Sequence, residues 1–280
     1  MKFLNKIPTR QKILISTFFV TLVYLLLQRI AIVELLNIET ENDLDFIKPI
    51  ILSFTTALFM FWIGNFRVGG ERILTVLGFP GVGVFVFSLF VELIINGIFG
   101  QIGQIGFIFF SGLLFFFFTY TLFLTANIVN VSHLEDIPLG QAGRAAYFIL
   151  SLIIEYLLFL IIISNEVNIL IQSILLLVAV FFVVSSTLWT IKERVGRRIL
   201  VAFTIGILIT FTHLILSMWP IDVTYISFIL LIFLYITLGL ALEVREKLSQ
   251  MVWIEYGLFF FIIFIVLIIT SSWGINGTLV

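Results

Sequence analysis

The stretch from Ala145 to Ser164, AAYFILSLIIEYLLFLIIIS, holds a single charged residue among twenty. As a helix, rising about 1.5 Å per residue, it is about 30 Å long, the thickness of a bilayer's hydrocarbon core. Eight further apolar stretches recur along the chain, so nine spans are expected, at approximately 13–36, 49–66, 73–99, 107–131, 145–164, 169–191, 199–219, 226–243 and 250–272. Lipid supplies no water to backbone N–H and C=O groups, so each span must close its own hydrogen bonds as a helix. A barrel would alternate polar and apolar residues in segments of about ten, and none do. Composition agrees. The 280 residues are 61% hydrophobic and 11% charged, against about 25% charged in a soluble domain. The expected fold is an all-α polytopic integral membrane protein.

Lys and Arg orient it. With the N-terminus inside, the inner segments hold Lys2, Lys6, Arg10, Lys12, Arg67, Arg72, Arg144, Lys192, Arg194, Arg197, Arg198, Arg245 and Lys247, which is 13 of the 15 basic residues; Arg29 and Lys48 make up the other 2. That bias predicts an odd number of spans, an inner N-terminus and an outer C-terminus. The acidic segment NIETENDLD then falls outside, and the five Trp fall near span ends as an aromatic belt. The basic start MKFLNKIPTRQK precedes an apolar run too long for a signal-peptide core, so a retained first helix is expected. The cytoplasmic membrane is the expected location, with the lipid bilayer as partner.

Two inner loops resemble each other. WIGNFRVGGERIL (62–74) and WTIKERVGRRIL (189–200) share Trp, Arg-Val-Gly, Arg and Ile-Leu once one residue is deleted. LVYLLL (22–27), IEYLLF (154–159) and IEYGLF (254–259) match in the odd-numbered spans. The matches fit a parallel 4+4+1 repeat, with a first unit over 1–131, a cytoplasmic hinge over 132–144 and a second unit plus a ninth helix over 145–280. Chance agreement in a Phe/Ile/Leu-rich alphabet is the alternative.

Function must be sought in the polar groups that the apolar runs contain. A carboxyl group deep in lipid is costly to ionise, so it should be protonated, paired or facing water. Glu155 lies about 16 Å beyond Arg144, near the midplane. Glu255 repeats its local sequence nearer the inner face, and each acid adjoins a tyrosine, Tyr156 or Tyr256. These groups fit a proton- or cation-coupling site; the competing reading is hydrogen-bonded glue between helices. Glu92 and Asn96 share a helix face toward the outer side, before the Gly- and Gln-rich stretch 97–106. That stretch fits an outer vestibule or a hairpin tip beside a Glu92 that snorkels into water. The segment GFPGVG (78–83) fits an interrupted transporter helix or a tolerated kink. His213 is the one histidine inside a span, more often a hydrogen bonder than a ligand.

In the hinge, Asn127, Asn130, His133, Glu135 and Asp136 gather at the inner end, while Ser132 and Glu135 have capping-box spacing. The adjacent acids lack the spaced aspartates of membrane prenyltransferases, which argues against that chemistry. Arg67, Arg72, Arg194, Arg197 and Arg198 fit headgroup binding. The net charge of −1 argues against nucleic acid. With no cysteine and two histidines on opposite sides, neither a metal nor a cofactor is expected. Three functional readings remain: a transporter, channel or lipid-handling protein using the buried acids; a non-catalytic membrane subunit; and an enzyme acting on lipid at the inner leaflet.

Overall fold

The computed structural model describes residues 7–29, 46–66, 68, 70, 72–98, 101–134, 138–165, 167–243 and 250–270, with side chains left undescribed at 29, 95–98, 101–108, 243, 250–253 and 270. Among the described residues there are nine α-helices and no strand. They are α1 (Thr9–Arg29), α2 (Ile47–Ile63), α3 (Phe79–Ile98), α4 (Gln101–Leu134), α5 (Gly140–Ser164), α6 (Ile169–Thr190), α7 (Val195–Leu216), α8 (Val223–Glu243) and α9 (Gln250–Thr270). Seven helical stretches are long and apolar enough to cross a membrane, and α2 and residues Ile254–Ile269 of α9 form two shorter apolar helices. The protein is a polytopic helical membrane protein. Residues 30–36 of the expected first span lie outside the described residues.

Contacts divide the chain into two units, Met1–Leu150 and Ser151–Val280. In the first, α1 packs on α2 and α4, and α3 packs on α2 and α4. In the second, α7 packs on α6 and α8, and α9 packs on α8. With no hydrophobic drive between helices in lipid, close approach depends on small residues. A side chain at Gly112 would collide with Leu25 across α4 and α1, and one at Gly143 would collide with Ile128 at the α4–α5 turn. On α8, a side chain at Gly239 would overlap the Tyr256 hydroxyl of α9.

The segment GFPGVG does not interrupt its helix. A π-helical turn, Ile73–Gly78, runs directly into α3, and Pro80 sits in the first turn of the α-helical part. The wider spacing shows in the Phe79 N–H, which bonds the Leu74 carbonyl five residues back. Continued by one residue, that pattern would bring residue 80 to the Thr75 carbonyl, but proline has no N–H to offer. The Tyr147 hydroxyl of α5 donates to that carbonyl instead, at 3.4 Å. The Tyr147 ring is fully buried and stacks on Phe79 with centroids 4.0 Å apart. A neighbouring helix thus satisfies the group that proline frees.

Two expected loops are helical instead. The Gly- and Gln-rich stretch 97–106 is helical at Gly97 and Ile98 and again from Gln101, where α4 begins. Glycine breaks helices partly by exposing backbone to water, and that competitor is missing in a membrane. The inner hinge is likewise shorter than 132–144. Helix α4 continues to Leu134 and α5 starts at Gly140. Ser132 donates to the Val129 carbonyl within its helix at 2.9 Å, so it caps no following helix.

The two resembling loops begin alike. At the end of α2, the Asn65 N–H bonds the Trp62 carbonyl at 3.0 Å, and Asn65 is left-handed with φ 55°. At the end of α6, the Lys192 N–H bonds the Trp189 carbonyl at 3.0 Å, and Lys192 is left-handed with φ 59°. Each is a turn of three residues from Trp to the left-handed position.

Replacing Tyr147 with Phe keeps the ring stack and removes the hydroxyl from the Thr75 carbonyl. The expected loss is about 1 kcal/mol, the scale of one hydrogen bond in a membrane helix bundle. Unfolding in mixed micelles measures it, and a Tyr147→Phe protein as stable as the parent would show that the proline's carbonyl does not depend on this hydroxyl.

Candidate functional site

Polar side chains collect at one end of the first unit. Tyr24 of α1 is fully buried, its hydroxyl donating to Ser111 Oγ of α4 at 2.9 Å, and it also hydrogen-bonds the Gln28 side chain one turn along. Its ring stacks on Phe115 with centroids 4.2 Å apart. Glu92 of α3 interacts electrostatically with Tyr24 and lies 3.8 Å from the Lys48 ammonium of α2. Helices α1 to α4 therefore each contribute. Glu92 is buried rather than snorkelling into water. Nearby opposite charge lowers the cost of removing a carboxylate from water, and Lys48 supplies it. Asn96 lies in the same helix, but its side chain is outside the described residues.

A second polar contact marks the opposite end of α1 and α2. Lys12, in the first turn of α1, is buried, donates to Asn65 Oδ1 and holds its ammonium 5.6 Å from the Trp62 ring centroid. Backbone turn, amide and aromatic face together accommodate a cation that lipid would otherwise expel. Beside it, Ile15, Phe19, Phe59 and Trp62 line an apolar groove.

The acids of the second unit have different surroundings. Glu155 of α5 has no exposed surface, and neither carboxyl oxygen has a hydrogen-bond partner among the described residues. Tyr156, beside it in sequence, is half-buried. Glu255 of α9 is exposed, and its Oε1 accepts from the Tyr235 hydroxyl of α8 at 2.9 Å. Tyr256 is buried, over Gly239. His213 of α7 is buried with Nδ1 unbonded.

The inner-end residues differ in burial. Asn127 is half-buried and Asn130 is buried with Oδ1 unbonded, both on α4. His133 occupies the last turn of α4, where the helix dipole favours a cation. Glu135 and Asp136 lie outside the described residues, as does Arg67. Arg72 precedes the π-helical turn and is half-buried. Arg194 and Arg197 are exposed, and Arg197 pairs with Glu193 at 3.9 Å. Arg198 turns inward instead. Among the described residues no group of three or more His, Cys, Asp or Glu is placed to hold a metal ion.

Sequence reasoning missed Tyr147, Lys48 and Asn65. A signal existed for the first, since Pro80 advertises a carbonyl in need of a donor. The partnerships of Lys48 and Asn65 join residues on different helices, and spacing within one helix does not reveal them.

Residues 74–270 match a family described as protein of unknown function (DUF5656). The chain belongs to the DUF5656 family. The matched stretch starts within the π-helical turn and contains Glu92, Glu155, His213, Tyr235 and Glu255, while Lys12, Tyr24 and Lys48 precede it. No curated protein matches the chain. No solved structure matches it either.

The Lys48–Glu92 pair can be tested as a unit. Lys48→Met alone strands a buried acid and should destabilise by about 1–3 kcal/mol, whereas Lys48→Met with Glu92→Gln should recover at least half of the loss. A double-mutant cycle in detergent reads the coupling. Strictly additive losses would show that the two side chains act independently.

Proposed function

We propose that the protein is a membrane carrier in which Glu155 takes up and releases a proton or cation. The observation that carries this is a carboxyl group, wholly buried in a membrane-crossing helix, with neither oxygen bonded among the described residues. Helix-to-helix glue would show a bond, as Glu255 does with Tyr235. An unbonded buried polar group costs about 1–3 kcal/mol, and apolar packing there would carry no such cost. An intramembrane acid that contributes no structural bond is accounted for by a task that needs its protonation.

Two readings of the architecture accompany the proposal. The inner N-terminus and the cytoplasmic membrane rest on the 13-to-2 distribution of basic residues. The parallel repeat is supported by the turns after Trp62 and Trp189, in each of which the third residue on is left-handed and bonds the Trp carbonyl.

The test uses the full chain in liposomes enclosing a pH-sensitive dye. Glu155→Gln preserves size and removes the titrating group, and it should lower proton flux by at least about tenfold, the scale of losing an intramembrane carboxyl. Glu255→Gln, at a carboxyl already engaged by Tyr235, should stay within about twofold. Equal flux through the parent and Glu155→Gln proteins would remove the mechanism.

A further inference from the structure

A second feature of Ser151–Val280 is independent of Glu155. Leu152 of α5, Phe228, Leu231 and Tyr235 of α8, and Phe259 and Ile262 of α9 line a cavity of about 300 Å³. Its lining is entirely apolar apart from what lies at one end, where Tyr235 bonds Glu255. That volume is at the lower end of ligand pockets, roughly 300–1,000 Å³. The spacing gives the cavity a direction. Glu255, Phe259 and Ile262 follow one face of α9 over about 10 Å, and Tyr235, Leu231 and Phe228 run alongside on α8. One end is therefore polar and the other apolar, and the long axis lies along the helices.

We propose that this groove binds a neutral, hydroxyl-headed lipid of diacylglycerol chemistry, with one acyl chain in the groove and its hydroxyl donating to Glu255. Lipid is the occupant because the flanks of the groove face hydrocarbon: on α9, Ile254 is 70% exposed and Phe261 is 61% exposed. The head is a hydrogen-bond donor because Glu255 already meets a hydroxyl as an acceptor, Oε1 accepting from Tyr235 at 2.9 Å. Depth argues against a charged head. Glu255 is five residues into α9, about 8 Å below the helix end, where a phosphate or ammonium group would have to leave water. A phosphate would also meet a carboxyl group with no cation among the side chains lining the groove. A free hydroxyl at the glycerol level meets neither obstacle.

The experiment places the full chain in nanodiscs containing equal amounts of diacylglycerol, phosphatidylethanolamine and phosphatidylglycerol, and measures retained lipid by native mass spectrometry. Diacylglycerol should be enriched at least about fivefold over both phospholipids, the discrimination that one hydrogen bond supports. Glu255→Leu, apolar at a lipid-facing position, should abolish that enrichment, and Leu231→Trp should reduce retention of all three by filling the groove. Tyr235→Phe is the milder second variant and should weaken the preference without closing the groove. Equal retention of the three lipids, a preference for either phospholipid, or an enrichment that survives Glu255→Leu would each overturn the assignment.

Discussion

Inside a bilayer, a polar group deprived of a partner has no water to fall back on, and most of the helix-to-helix contacts described above reflect that constraint. Thr17, Thr56, Thr187 and Thr210 each return their hydroxyl to the carbonyl four residues earlier, silencing it within the same helix. Helix α3 accepts a proline because its entry widens into a π-turn and Tyr147 takes the freed carbonyl. The ends of α2 and α6 turn back after a tryptophan and bond its carbonyl. Local bonding of this kind leaves the helices free to pack by shape, through the notches at Gly112, Gly143 and Gly239.

Against that background the three acids separate by environment. Glu92 has a lysine and Glu255 has a tyrosine, and both can be understood as parts of helix-to-helix contacts. Glu155 has neither. The same side-chain chemistry thus meets three environments, and the difference comes from what the neighbouring helices present rather than from the local sequence, which is nearly identical around Glu155 and Glu255.

The helical architecture could be read from the sequence because apolar runs of membrane length leave the backbone a single solution. The nine expected spans coincide in order with α1 to α9. Helix ends were harder, and for one physical reason. Glycine, serine and asparagine mark loops by offering the backbone alternatives in water, and the runs at 97–106 and 127–134 remain largely helical where that competition is weakened. Of the candidate site, the acids themselves were visible as costly residues. Their partners were not, because Lys48 and Glu92, or Lys12 and Asn65, meet only after separate helices have packed. The snorkelling Glu92 and the capping Ser132 were errors of the same origin, in which a one-helix rule was overridden by a neighbour or by the helix continuing.

Helix α2 has 17 residues, about 25 Å, against a hydrocarbon core of about 30 Å. Its companions α3 and α4 are longer, at 20 and 34 residues. A span shorter than the hydrocarbon core is met by local thinning of the bilayer, by snorkelling of flanking side chains or by association with other helices. Each of these responses costs a modest free energy per ångström of mismatch, a cost that shrinks as the surrounding membrane thins.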